Sequence, residues 1–143
     1  MKTTIKRFDK SLPLPAYQTK GAAAFDLHAR EKTKIAPLSV GYVPLNIALK
    51  PPKDCFVLLS ARSSTHKRGL MLANGIGIVD SDYCGDNDEY ITALFNFTKK
   101  PVIVEKGDRV VQAMFIKFVK ANWQEVLKMK SKTRGGFGST GKR

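Results

Sequence analysis

The chain has 143 residues, with 25 Lys and Arg against 12 Asp and Glu, a formal net charge of +13 and a sequence pI near 9.9. That length suits one domain, and a hydrophobic fraction of 43% excludes a chain that stays unfolded throughout. No run of about 18 apolar residues occurs, so no transmembrane helix is expected and no membrane partner. The first residues lack the apolar core of a secretory leader. Cys55 and Cys84 stand in no metal-binding spacing and read as two reduced thiols of a cytoplasmic protein.

In chain order, period-two patterns predict strands over 3–8, 23–28, 33–35, 40–49, 55–59, 90–97, 102–105, 109–118 and 123–126. Pro13, Pro15, Pro37, Pro51, Pro52, Pro101 and Gly107 punctuate them as turn signals. Many short strands between frequent turns predict an all-β sandwich or barrel. The one helical stretch, 64–70, follows a Ser/Thr cap signal. The last residues, RGGFGSTG at 134–141, hold four glycines in eight and cannot form a rigid element alone. We therefore expect a body of residues 1–128 and a mobile arm over 129–143.

The charge is uneven. Asp80, Asp82, Asp86, Asp88 and Glu89 fall within ten residues, whereas 126–143 holds six basic residues and no acid. An excess of +13 points first to a polyanionic partner. An acidic island works against a plain nucleic-acid binder, which gains affinity by neutralising phosphates. No aromatic-rich strand set of the single-strand-binding kind is present either.

Five segments carry chemistry. Asp26, in AFDL at 24–27, is a carboxylate between apolar neighbours; it is either paired or turned to solvent. The stretch ARSSTHKRG at 61–69 offers Arg62, Ser63 and Ser64 at a turn, either a phosphate cradle or an ordinary cap. NGIGIVDSDYCG at 74–85 alternates glycine with aliphatic residues, as in a hairpin whose bare backbone can approach a flat ligand. GDRVVQ at 107–112 is a turn entering a strand, with Asp108 and Arg109 free to pair. The glycine-rich tail holds Phe137, Ser139 and Thr140.

Together these segments resemble the five motifs of the trimeric dUTP pyrophosphatase (dUTPase) family, in order and over most of the chain. GIVDSDYCG, GDRVVQ and GGFGSTG are the most specific. The resemblance implies a jelly-roll-like distorted β-barrel with one short helix, a homotrimer with shared active sites, and Mg²⁺-assisted hydrolysis of dUTP to dUMP and pyrophosphate. It implies Asp80 as the base for the attacking water, with Ser63 and Gln112 as its catalytic companions. Arg62 and Ser64 would lie near the phosphates. Asn74, Gly77 and Val79 would meet uracil, and Tyr83 would pack on the deoxyribose. On the arm, Phe137 and Gly138 would cover the base, and Arg134 and Ser139 would reach the γ-phosphate. No direct protein ligand to Mg²⁺ is implied; Asp26 would support it through water.

Three features depart from the family pattern. Ala61 replaces a proline before Arg62. Lys132 occupies the usual place of the tail arginine, so Arg134 takes that role with Lys132 as the alternative. The stretch 86–90 is about three residues longer than in many members, so its acids reshape one rim of the pocket or hold a second cation. A dCTP deaminase on the same barrel would need a glutamate on the strand after the third motif, and ITALFNF at 91–97 has none.

Overall fold

The computed structural model of the protein describes residues 2–136. Among them are eleven strands: β1 Thr4–Arg7, β2 Phe25–His28, β3 Thr33–Ile35, β4 Val40–Pro44, β5 Ile47–Lys50, β6 Cys55–Ala61, β7 Leu70–Leu72, β8 Gly77–Val79, β9 Ile91–Asn96, β10 Val102–Val104 and β11 Arg109–Lys117. They pair antiparallel into four small sheets, ordered β1-β5, β10-β3, β2-β11-β6-β8 and β4-β9-β7. The sheets wrap one apolar core as a jelly-roll-like barrel, so the all-β expectation holds. No helix among the described residues is long and apolar enough to cross a membrane.

Alternation drives this arrangement. Cys55, Val57 and Leu59 of β6 are buried while Phe56, Leu58 and Ser60 are only half so. Thr92, Leu94 and Asn96 of β9 do the same. One face of each strand thus joins Leu27, Val43, Leu45, Val57, Leu94, Val104 and Val111 in the core, where area removed from water stabilises the fold.

Several expected elements take another form. The stretch 40–49 is two strands, because Asn46 between them has φ 67° and turns the chain left-handed. Its buried amide accepts from the Asp9 N–H at 2.6 Å and donates to the Asp9 carbonyl at 3.0 Å. The helix over 64–70 is a 3₁₀ turn over Thr65–Arg68, and the Ser64 side chain does not cap it. Thr65 does the local work instead, accepting from the Arg62 N–H at 3.1 Å and donating to the Val110 carbonyl at 3.2 Å. The turn ends at Gly69 (φ 75°), where a Cβ would lie 2.2 Å from a Thr98 methyl. Residues 123–126 form no strand; β11 ends at Lys117, and Val119, Trp123, Leu127 and Met129 beyond it are exposed.

Asn96 is fully buried and stitches two connections, the one after β3 and the one after its own strand. Its amide nitrogen reaches the carbonyls of Ile35, Ala36 and Lys100 at 3.1, 3.1 and 2.8 Å, and its oxygen accepts from the Thr98 N–H and hydroxyl. In Asn96→Ala those groups lose their partner in a dry site, and a stability loss of about 3 kcal/mol is expected. The urea midpoint should fall with an unchanged m-value.

His28 on β2 stands opposite Arg109 on β11. Burial first, then the Arg109 guanidinium, hold its imidazole below the ordinary value of 6.5; Arg62 adds to this and Asp26 opposes it. The unfolded chain therefore takes up this proton before the folded one does, so stability is lost as pH falls below 6.5. His28→Gln should lose less of its melting temperature than the wild type between pH 7.5 and pH 5.5.

Candidate active site

Three neighbouring strands build the first half of the site. β11 lies between β2 and β6, and the register sets Asp26, Gln112 and Ser60 side by side. Asp26 is buried, and its two oxygens face two arginines: Oδ1 accepts from Arg62 Nε at 2.7 Å and Oδ2 from Arg109 Nη1 at 3.0 Å. The expected choice for Asp26 thus resolves to pairing. Two guanidinium groups share one carboxylate, which leaves a net positive charge at this point. Arg62 Nη1 also donates to the Arg109 carbonyl at 3.4 Å. Its Nη2 makes no protein hydrogen bond among the described residues, and it is the group left for an anion.

Asp108 and Arg109 do not pair with each other. Asp108 accepts from Arg68 Nη2 at 2.7 Å, while Arg109 turns to Asp26. Arg62, Ser64, Thr65, Arg68, Asp108 and Arg109 line a cavity of about 240 Å³. Ser64 on its lining and Ser63 beside it in the chain are both exposed. Gln112 is half-buried and donates to the Ala61 carbonyl at 3.0 Å, which fixes its amide beside the Arg62 turn.

The second half is built by β8 and the loop after it. The segment 74–85 is a corner between two sheets rather than a paired hairpin: β7 pairs with β9, and β8 pairs with β6. Asn74 and Gly75 make the corner, with Gly75 at φ 73°. Gly77 has a steric reason to lack a side chain, since a Cβ would lie 3.0 Å from the Leu59 Cβ. β8 is the outer strand of its sheet. The outward backbone groups of its Gly77–Val79 span are therefore open to the edge of a flat base. Asp80 follows directly, exposed, on the wall of a groove of about 340 Å³ with Phe56, Ile78, Asp82, Phe118 and Lys120. Tyr83 donates its backbone N–H to the Asp80 carbonyl at 3.2 Å.

The two halves lie at opposite ends of β6. Gln112 faces Ser60, and Arg62 follows the strand, but Val79 faces Val57, so Asp80 lies beyond Phe56. At about 3.3 Å per residue, Asp80 and Arg62 of one chain are roughly 20 Å apart. Arg134 and Lys132 are exposed, and Phe137, Gly138 and Ser139 lie outside the described residues. Among the described residues no three His, Cys, Asp or Glu side chains gather to hold a metal ion. The acids of 86–90 are instead largely committed within the chain: Asp86 pairs with Lys6, Asp88 caps Gly85, and Glu89 binds Arg30.

Thr65, Arg30 and Glu89 are functional candidates that the sequence reading missed. Thr65 lay inside the quoted stretch 61–69 but was not singled out there. Arg30 and Glu89 gave no local signal, being 59 residues apart.

The dUTPase family model matches residues 10–141. The chain is 35% identical to deoxyuridine 5'-triphosphate nucleotidohydrolase of Dictyoglomus turgidum, over 99% of each chain. It is similar to the crystal structure of dUTPase from Streptococcus mutans, with a TM-score of 0.76 and 29% identity over 83% of this chain and 98% of that one. The Staphylococcus bacteriophage 80alpha dUTPase with dUPNHPP shares the fold at a TM-score of 0.85, with 19% identity and 98% of each chain covered. By sequence and by fold, the chain belongs to the dUTPase family.

Proposed function

We propose that the protein hydrolyses dUTP to dUMP and pyrophosphate, limiting uracil incorporation into DNA and supplying dUMP for dTMP synthesis. The observation that carries this reading is the contrast between two carboxylates. Asp26 is spent on Arg62 and Arg109, whereas the Asp80 side chain makes no protein hydrogen bond among the described residues and faces an open groove. Asp80 takes a proton from water as that water attacks the α-phosphorus, and the bond to the β-phosphate oxygen breaks to release pyrophosphate. General-base help of this kind is worth about 10²–10⁴ in rate.

Ser63 and Gln112 hold oxygens of the α-phosphate, and Arg62 and Ser64 hold the phosphate chain. The edge of β8 at Gly77 and Val79, with Asn74 at its corner, reads the uracil. Tyr83 packs on the deoxyribose and leaves no room for a 2′-hydroxyl. From the arm, Phe137 stacks on the base, worth about 1–3 kcal/mol, Gly138 closes beside it, and Arg134 and Ser139 meet the γ-phosphate.

Mg²⁺ fits this donor set as an ion carried on the triphosphate and its waters, since it commonly keeps waters and leans on phosphates. When bound it offsets phosphate charge. Asp26, with both oxygens facing arginines, stays at the level of water-mediated support. The protein acts inside the cell in this reading.

One chain cannot present Asp80 and Gln112 to the same phosphorus atom when they stand at opposite ends of β6. A second copy supplies the missing half, and a homotrimer with shared sites satisfies this for all three copies. The exposed Val119, Trp123, Leu127 and Met129 are apolar surface that such an assembly covers.

Pyrophosphate release should be far faster from dUTP than from UTP, dCTP or dTTP; equal rates on all four would remove the reading. Asp80→Asn should bind a non-hydrolysable dUTP analogue while kcat falls by about 10²–10⁴. Mixing inactive Asp80→Asn with inactive Arg62→Gln should restore about a quarter of wild-type turnover, the share of sites that random assortment completes in a symmetric oligomer. No recovery after confirmed subunit exchange would place the whole site in one chain.

A further inference from the structure

Tyr83 is 43% exposed on a loop, yet its ring has two fixed supports. It stacks on Tyr90, with centroids 6.3 Å apart and planes at 29°, and its hydroxyl donates to the Glu89 carbonyl at 3.3 Å. Both supports come from the end of the lengthened stretch 86–90, and both are anchored in the barrel. Tyr90 is 1% exposed, exchanges backbone hydrogen bonds with Leu45 and Ile47 at 2.8 Å, and donates its hydroxyl to the Leu49 carbonyl at 3.4 Å.

The Glu89 carboxylate is only 12% exposed although it lies in an acidic stretch. One of its oxygens accepts from Arg30 Nε at 2.8 Å and from the Asn46 N–H at 2.9 Å. A partly buried charge with two donors on different elements is a rigid point. At the start of the same loop, Asp88 accepts from the Gly85 N–H at 2.6 Å and Lys6 binds Asp86, so the extra residues are tied at both ends.

We propose that Glu89 and Tyr90 are positioning residues that brace Tyr83, so that the Arg30–Glu89–Asn46 anchor sets how strictly the site separates deoxyribonucleotides from ribonucleotides. This rests on the reading of Tyr83 as the sugar-facing residue. Exclusion of a 2′-hydroxyl is steric, and a steric filter is only as sharp as its wall is still. The lengthened loop is then a support for one side chain rather than a charged rim.

The test measures kcat and KM for dUTP and UTP in the full-length protein. Glu89→Ala should lower the dUTP:UTP ratio of kcat/KM by about tenfold, acting through KM more than kcat. Glu89→Gln, which keeps an acceptor for Arg30 and Asn46, should restore most of it. Tyr83→Phe removes the hydroxyl bond without touching the anchor and leaves the barrel intact, so it reads the brace even where Glu89→Ala folds poorly. It should lower the ratio in the same direction, and its effect should not add to that of Glu89→Ala. If Tyr83→Ala collapses the ratio while Glu89→Ala and Tyr83→Phe leave it unchanged, the brace is wrong and the sugar-facing reading stands. A ratio untouched even by Tyr83→Ala overturns both.

Discussion

Along β6 every residue from Cys55 to Ala61 faces a partner on β11, from Lys117 to Val111. Because side chains alternate across a strand, a slip of one residue would turn Val57, Leu59, Val111 and Ala113 out of the core and expose them together. The core thereby locks the register, and the register locks the chemistry. It sets Gln112 beside Asp26 on one flank, leads Arg62 out of the end of β6, and through β8 carries Asp80 to the opposite end. The barrel's packing and the division of the site into two halves are one constraint.

Asp26 shows how charge is managed inside that constraint. A carboxylate this buried is costly unless paired. Arg62 and Arg109 meet the need from two different elements, and Arg62 is held in turn by a bond to the Arg109 carbonyl. The cost of burying Asp26 is offset by the same contacts that orient the Arg62 guanidinium. Thr65 supports the arrangement from below, since its hydroxyl ties the Arg62 backbone to β11. Arg62 is therefore held in place by the fold itself, and the proposed binding of an anion would require less ordering of its side chain.

Much of this was legible in the sequence. The strands on β6, β9 and β11 announced themselves by alternation, because each has one buried face. Asp80 and Tyr83 were singled out by the family resemblance of GIVDSDYCG, while the glycine spacing suggested only a backbone open to a flat ligand. Other features were invisible for a physical reason: their partners are far away along the chain. Asn46 breaks the expected 40–49 strand because Asp9 and Glu89, 37 and 43 residues away, hold its left-handed backbone. The 74–85 segment reads as a hairpin because local pattern cannot tell that β8 within it pairs with β6 while β7 just before it pairs with β9. Glu89 read as one more acid of the acidic island, and only its partners reveal it as an anchor.

The net charge of +13 gains meaning once it is divided between the halves. The half around Arg62, Arg68 and Arg109 has three guanidinium groups against two carboxylates, so it stays positive. The half around Asp80 and Asp82 lies in the acidic island, with Lys120 beside it. In the shared site proposed for the oligomer, the joining of copies brings surfaces of opposite sign together. Attraction between copies and completion of the site then have a common origin. In that proposed site the phosphates of a nucleotide would meet the positive half, and the carboxylate proposed to activate water would stand across from it rather than among the arginines. That separation matters, because an Asp80 with both oxygens spent on arginines, as those of Asp26 are, would have none left to hold the attacking water.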